Sequence, residues 1–187
     1  MSIYYQRERF YTKMISDYEK SVNDLANKDA SFQFENKGAN HARIVVSAIL
    51  NSSKNIVYMY SGSLSSDVTD DEDFLKTLDD FLDKEITFKL LLDDIPKESE
   101  QSEALKKVLD ASTNAHVIVK KISKEAKKFL KDTEHFIVAD QKAYRYETDA
   151  KEYKALCNFN DEELSKQLIE LFTRAFDLCE YYIKPNA

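Results

Sequence analysis

The segment DTEHFIVADQKAYRYETD, residues 132–149, is the one stretch of the sequence where reactive side chains collect at a recognisable spacing. His135 precedes an apolar run, and Arg145 and Glu147 follow the tight turn DQK. If the two halves pair as a hairpin, these side chains project on related faces, because alternate strand residues point the same way. Histidine can donate a proton to a phosphate, arginine can hold a phosphate or carboxylate, and glutamate can orient it. We therefore take His135, Arg145 and Glu147 as catalytic candidates; the alternative is an Arg–Glu ion pair that ties the hairpin to a helix.

Alternating helix and strand patterns must position this hairpin. Apolar residues three and four positions apart predict helices at both ends of the chain, over residues 1–28 and 161–182. Further helices are predicted over 41–55, 72–84 and 99–112, an amphipathic bridge or short helix over 123–132, and strands over 55–62, 86–94, 115–122, 134–140, 143–147 and 153–159. The fold class is therefore α/β, a mixed sheet flanked by helices with an additional N-terminal helix. Only two glycines and two prolines are present, which argues against an all-β sandwich.

The composition fits one compact domain of 187 residues. We expect residues 1–36 to form the N-terminal helix and part of a linker over 27–40, and residues 37–187 to form the α/β domain. The net charge of -7 does not provide the overall positive charge that is typical of proteins that bind duplex DNA. The 27 lysines and arginines are still enough to form a local basic groove. Two cysteines are too few for a disulfide scaffold, and we predict a cytoplasmic protein with no signal peptide and no membrane span.

The order of elements resembles one domain of the phospholipase D superfamily. The likeness covers roughly residues 40–183: a helix feeding NIVYMYSG, two further α/β units, then the strand HFIVAD before a meander and a long helix. In that family a strand carries His-x-Lys, four residues and Asp, and two such motifs meet across a dimer-like interface. The resemblance implies that one histidine attacks the phosphorus, the other protonates the leaving group, and the lysines bind phosphate oxygens.

The family motif is broken in this sequence. If Asp140 is the family's aspartate, His135 occupies the lysine position and Thr133 the nucleophile position. If His135 is the nucleophile instead, Ile137 and Lys142 fall at the lysine and aspartate positions. Neither register keeps the catalytic set, since a phosphohistidine intermediate needs both an imidazole and nearby cations. The resemblance therefore implies a non-catalytic phospholipase D-like binding or interaction module, and by analogy an accessory subunit of a bacterial defence or mobile-element system.

Two other functions stay open. One is a phosphodiesterase or nuclease that acts as a homodimer through paired His135 residues, with Arg145 replacing the lysine. The other is a purely structural subunit. We predict a homo-oligomer or a protein partner, with nucleic acid as a further possible partner. We predict no cofactor and no metal, because His41 and His116 have no companions at metal-ligand spacing.

Two groups of residues are candidates for binding. The basic run VKKISKEAKKFLKD, residues 119–132, predicts phosphate or nucleic-acid contacts through Lys120, Lys121, Lys124, Lys127 and Lys128. A solvated amphipathic face is the alternative for such a run. Tyrosines are enriched at protein interfaces. The interface candidates are therefore Tyr4, Tyr5, Tyr11, Tyr18, Tyr181 and Tyr182.

Overall fold

A seven-stranded mixed sheet runs through the computed structural model, which describes residues 3–131 and 133–183 without the side chains of residues 3–6. The strands are β1 (Phe34–Asn36), β2 (Ile56–Ser61), β3 (Thr87–Leu92), β4 (Val117–Lys121), β5 (Phe136–Ala139), β6 (Ala143–Asp149) and β7 (Lys154–Asn158). The helices are α1 (Ile3–Asn27), α2 (Ala39–Ser52), α3 (Ser66–Thr69), α4 (Glu72–Leu82), α5 (Glu103–Ala111) and α6 (Glu162–Asp177). Short 3₁₀ turns lie at Glu98–Glu100 and Ala126–Lys128.

The strand order across the sheet is β1-β7-β6-β5-β2-β3-β4. Strands β2, β3 and β4 are parallel, whereas β5, β6, β7 and β1 continue the sheet in antiparallel pairs. Leu90, Leu91 and Leu92 in the centre of the parallel part are fully buried, as expected for a strand covered on both faces. The α/β fold class with a mixed sheet, predicted from the sequence, is confirmed.

Two apolar cores lie on the two faces of the sheet. One core packs α1, α2, α4 and α5 on the sheet and includes Val22 and Ala26 of α1. The other core lies under α6, where Phe172 and Phe176 pack with Tyr60. The α4 helix begins at a capping residue, because the Asp71 carboxylate accepts hydrogen bonds from the amides of the first turn. Both cysteines are free and buried.

The structure corrects two predicted elements. The predicted linker over 27–40 contains β1, a strand too short to show an alternating pattern and held by antiparallel pairing with β7. The last helix ends at Asp177, because the chain beyond it turns to the edge of β4. There Tyr181 forms an antiparallel backbone β-bridge with Lys120, and the Tyr182 amide donates to the Val119 carbonyl. The predicted bridge or short helix over 123–132 contains a 3₁₀ turn at Ala126–Lys128, and Asp132 lies outside the described residues.

None of the helices in the described part of the chain has the length and apolarity that a membrane crossing needs.

Candidate functional site

A cleft of about 250 Å³ opens beside the carboxyl end of β2 and the antiparallel hairpin. The loop from Ser61 to Ser65 forms one wall, and α3 with Val68 and Thr69 continues it. The hairpin side chains form the opposite wall. Ligands of open α/β sheets bind at the carboxyl ends of parallel strands, so this is the place where the fold favours a site. The three catalytic candidates all line the cleft: His135, Arg145 and Glu147.

The three candidate side chains form a continuous chain of ion pairs with Asp93. His135 Nδ1 lies 3.2 Å from Glu147 Oε2, and His135 Nε2 lies 3.4 Å from Asp93 Oδ2. The second oxygen of Glu147 accepts a hydrogen bond of 2.9 Å from Arg145 Nη1. Each ring nitrogen of His135 therefore faces a carboxylate, and the Arg145 guanidinium contacts the far oxygen of the Glu147 carboxylate.

The hairpin register explains why these residues meet. Phe136 pairs with Tyr146, and the Glu147 amide donates to the His135 carbonyl at 2.9 Å. His135 is therefore opposite Glu147, and Arg145 lies two residues before Glu147 on the same face of β6. The sequence prediction that the three side chains share related faces is confirmed.

Each of the three nitrogens of the Arg145 guanidinium donates a hydrogen bond to a neighbouring group. Besides Glu147, its Nε donates to Asn36 Oδ1 at 3.1 Å and its Nη2 donates to the Tyr153 carbonyl at 3.2 Å. Asn36 in turn donates to the same carbonyl and lies 3.3 Å from the Cys157 sulfur. The Arg–Glu pair that the sequence suggested is present, but it ties the hairpin to β1 and to the β6–β7 turn rather than to a helix.

Asp93 joins the cleft to the basic segment that follows β4. Its Oδ1 accepts a hydrogen bond of 2.9 Å from the Tyr60 hydroxyl and lies 3.2 Å from Lys127 Nζ. The Tyr60 ring also packs edge-on to the His135 ring. Asp93 therefore holds an imidazole, a phenol and an ammonium group in one arrangement.

The ion pairs set the charge of these groups. Burial lowers the pKa of His135, but the hydrogen bonds and negative charges of Asp93 and Glu147 outweigh burial and raise it to about 9. Burial raises the pKa of Asp93, and the hydrogen bonds that it accepts from His135 and its other donors lower it to about 2. Burial likewise raises the pKa of Glu147, but its contacts with His135 and Arg145 lower it overall. At neutral pH the site therefore holds an imidazolium between two carboxylates.

A glycine allows His135 to reach Asp93. A Cβ at Gly62 would lie 3.3 Å from His135 Cε1 and 3.6 Å from Nε2, so a side chain there presses directly on the ring.

Asp140, which the sequence comparison placed at the family's aspartate position, does not line the cleft. Its carboxylate instead accepts hydrogen bonds of 2.7, 2.8 and 3.1 Å from the amides of Lys54, Asn55 and Ile56. It fixes the start of β2 against the hairpin turn.

The five candidate lysines do not form one surface. Lys120 is only 7% exposed; its Nζ donates to the Phe176 carbonyl at 2.9 Å and lies over the rings of Phe176 and Tyr181. Lys121 is exposed and lies 2.5 Å from Asp94. The remaining three are exposed on the segment that follows β4: Lys124, Lys127 and Lys128.

The candidate tyrosines are also divided. Tyr18 packs inward, where its ring stacks on His41 at 4.0 Å and burial raises the pKa of its hydroxyl. Tyr11 is 56% exposed and its hydroxyl accepts a hydrogen bond from Asn40. About half of each side chain is exposed in Tyr181 and Tyr182. The side chains of Tyr4 and Tyr5 lie outside the described residues.

Sequence reasoning missed the contributions of Asp93 and Asn36. Asp93 directly follows the buried strand β3, as Ser61 ends β2, and the carboxyl ends of adjacent parallel strands meet at one edge. That rule could have placed Asp93 near the cleft. Asn36 gave no comparable signal, because β1 has only three residues. Across the described residues, no three His, Cys, Asp or Glu side chains form a cluster suited to a metal ion.

No protein-family model and no curated protein matches this chain. Among solved structures, the phospholipase D family member Nuc from Salmonella typhimurium matches 81% of this chain and 99% of its own, with a TM-score of 0.55 and 14% identity. NucT from Helicobacter pylori gives the same coverage and TM-score at 8% identity. TrmBL2, an archaeal chromatin protein described as showing a novel mode of DNA binding, matches 95% of this chain and 66% of its own, with a TM-score of 0.55 and 11% identity. The chain has the phospholipase D-like fold.

Proposed function

We propose that this chain is a non-catalytic binding module that has kept the phospholipase D-like fold. The observation that carries the proposal is the position of His135, whose two ring nitrogens face the carboxylates of Asp93 and Glu147. Nucleophilic attack on phosphorus needs a ring nitrogen with a free lone pair. An imidazolium with a pKa of about 9 has no such lone pair at neutral pH.

The cations that line the cleft support the same conclusion. Phosphoryl transfer needs positive charge aimed at the oxygens of the transition state. Among the described residues of the cleft wall, His135 and Arg145 are the basic side chains, and each is paired with a carboxylate. Neither therefore supplies an uncompensated charge for a phosphate group.

The ligand that we propose is single-stranded nucleic acid, bound outside the cleft on the segment after β4. Lys124, Lys127 and Lys128 are exposed there, and Phe129, which follows Lys128 in the sequence, is 47% exposed. Proteins that bind single strands combine cations along the backbone with aromatic rings on which bases stack. The DNA binding described for the archaeal chromatin protein, which has a similar fold, supports this choice of ligand class.

The proposal is tested by binding of fluorescent single-stranded DNA, duplex DNA and RNA at several salt concentrations. We expect single strands to bind best and the affinity to fall as salt rises. Lys124→Glu with Lys128→Glu should reduce the slope of log affinity against log salt by about 1.4, because each phosphate contact on a single strand contributes about 0.7. The charge-matched control is Lys76→Glu with Lys166→Glu, since both of these lysines are exposed on other helices. Equal binding by both double variants would contradict the proposed surface.

The catalytic alternative is tested in the same samples, with and without Mg²⁺. We expect no cleavage of any of these nucleic acids by the wild-type protein. Cleavage that disappears in His135→Ala would overturn the non-catalytic proposal and favour a phosphodiesterase. Absence of both binding and cleavage would favour the purely structural role and overturn the choice of ligand.

A further inference from the structure

The first half of α1 is a helix without neighbours on most of its surface. The side chains of residues 7–14 are all exposed, although the Tyr11 hydroxyl accepts a hydrogen bond from Asn40; they include Phe10, Tyr11 and Met14, which are 67%, 56% and 52% exposed. Packing on the core begins at Ile15 and continues with the second half of the helix. Short helical stretches gain little stability from their own hydrogen bonds, and exposed apolar patches commonly mark interaction sites.

The exposed stripe of α1 has the spacing of a helix-pairing seam. Arg7, Phe10, Met14 and Asp17 follow one another at steps of three, four and three residues. Such steps place the four side chains on one face of the helix, as at the a and d positions of a heptad repeat. The face that packs on the core contains Val22 and lies to one side of this stripe. The stripe is therefore free to meet a second helix.

We propose that α1 pairs in antiparallel orientation with α1 of a second copy of this chain. When Phe10 faces Met14 of the second copy, Arg7 faces Asp17 of that copy, because both pairs have the same midpoint in the sequence. A two-fold axis then generates each contact twice. The apolar side chains lie in the centre of the seam, and an oppositely charged pair closes each end.

The charges distinguish this arrangement from a parallel one. In a parallel pair of the same register, Arg7 would face Arg7 and Asp17 would face Asp17 of the second copy, which places like charges together at both ends. Like charges at an interface disfavour the wrong arrangement. The stripe is thus complementary to itself only in the antiparallel orientation, and this self-complementarity identifies a second copy as the occupant.

The antiparallel register places the two domains toward opposite ends of the helix pair. Each domain packs on the part of α1 that follows Met14. With residue 10 opposite residue 14 of the second copy, residues 15–21 of the second helix lie opposite residues 9–3 of the first, and the residues of the second helix that follow extend beyond Ile3 of the first.

Sedimentation velocity over a concentration series tests the charged contacts. We expect the wild-type protein to dimerise reversibly, and Arg7→Asp or Asp17→Arg to raise the dissociation constant about tenfold or more, since each places like charges together twice. The double variant Arg7→Asp with Asp17→Arg should return close to the wild-type value. Arg9→Asp is the matched control, because it makes the same change two residues away on the face of the helix that points away from the second copy, and it should leave the dimer intact.

A second variant tests the apolar contacts. Phe10→Ser with Met14→Ser should leave only monomer, while the unfolding temperature of the monomer stays close to that of the wild-type domain because both side chains are exposed. A wild-type protein that stays monomeric at every accessible concentration overturns the proposal. So does a dimer that persists in Arg7→Asp and in the Phe10–Met14 variant. Neither outcome depends on whether the segment after β4 binds nucleic acid.

Discussion

Arg145 and Glu147 form an ion pair of 2.9 Å in which the two side chains are only 6% and 10% exposed. A buried pair of this kind offers little net stability compared with an apolar pair, but loss of one partner leaves the other charge buried. The pair also holds three separate parts of the sheet together, because the guanidinium contacts Asn36 of β1 and the Tyr153 carbonyl of the β6–β7 turn. Its role is therefore structural as well as electrostatic.

We predict that Arg145→Leu lowers the free energy of unfolding by about 3 kcal/mol or more. The physical reason is that the buried Glu147 carboxylate and the Tyr153 carbonyl each lose the hydrogen bond that Arg145 donates, and the Glu147 charge is left with His135 as its remaining partner. Urea unfolding at neutral pH measures the effect. The control is Lys166→Ala, which removes the exposed ion pair with Glu162 and should leave the unfolding free energy unchanged. Equal stability of the two variants would show that the buried pair is dispensable.

Stability should depend on pH through His135. Its pKa rises from 6.5 to about 9 on folding, so the charged ring stabilises the folded state. This contribution is complete below about pH 6.5 and is lost as the pH rises through about 9. The wild-type protein should therefore lose up to about 3 kcal/mol across this window.

The measurement compares urea unfolding of the wild type and His135→Gln at a series of pH values. The difference between the two curves isolates His135 from other groups that titrate at high pH. It should shrink steadily from about pH 6.5 to about 9. Two parallel curves would mean that the ring is not held between the carboxylates of Asp93 and Glu147.

The sequence was sufficient to predict the hairpin because its signals are local. The apolar run after His135, the turn DQK and the alternation through Arg145 and Glu147 fix both the strands and their register within a few residues. The likeness to phospholipase D-like domains extended the prediction to the order of the surrounding elements. The fold class and the grouping of the three candidate side chains followed from these two sources.

The rest of the site depends on contacts between distant segments. Asp93 lies 42 residues from His135 in sequence, and Asn36 lies 109 residues from Arg145. Lys120 belongs to a basic run typical of a solvated surface, yet the last turn of α6 presents a carbonyl and a ring that take its ammonium group inside. No local pattern records such pairings, because they arise only when the sheet and its helices are assembled.

Gly62 should be sensitive to the smallest substitution. A methyl group in Gly62→Ala would meet the His135 ring at 3.3 Å, so the ring must shift away from the loop. We predict a loss of about 1 kcal/mol in unfolding free energy and a lower pKa for His135, because its contact with Asp93 lengthens. Titration of the ring signals by NMR gives the midpoint for the wild type and the variant. An unchanged midpoint would show that the loop accommodates the methyl group without moving the ring.

The final prediction tests whether Asp140 has the structural role that its hydrogen bonds indicate. Its carboxylate accepts three backbone hydrogen bonds at the start of β2, and its backbone φ of 50° is one that Asp and Asn tolerate better than Ala. Asp140→Ala should therefore lower the unfolding free energy by about 3 kcal/mol, from the unsatisfied amides and the backbone conformation together. Asp140→Asn keeps an acceptor and the backbone preference, so its loss should be about half as large. Urea unfolding of both variants measures the ratio, and equal losses would mean that the negative charge, rather than the number of acceptors, fixes this end of the strand.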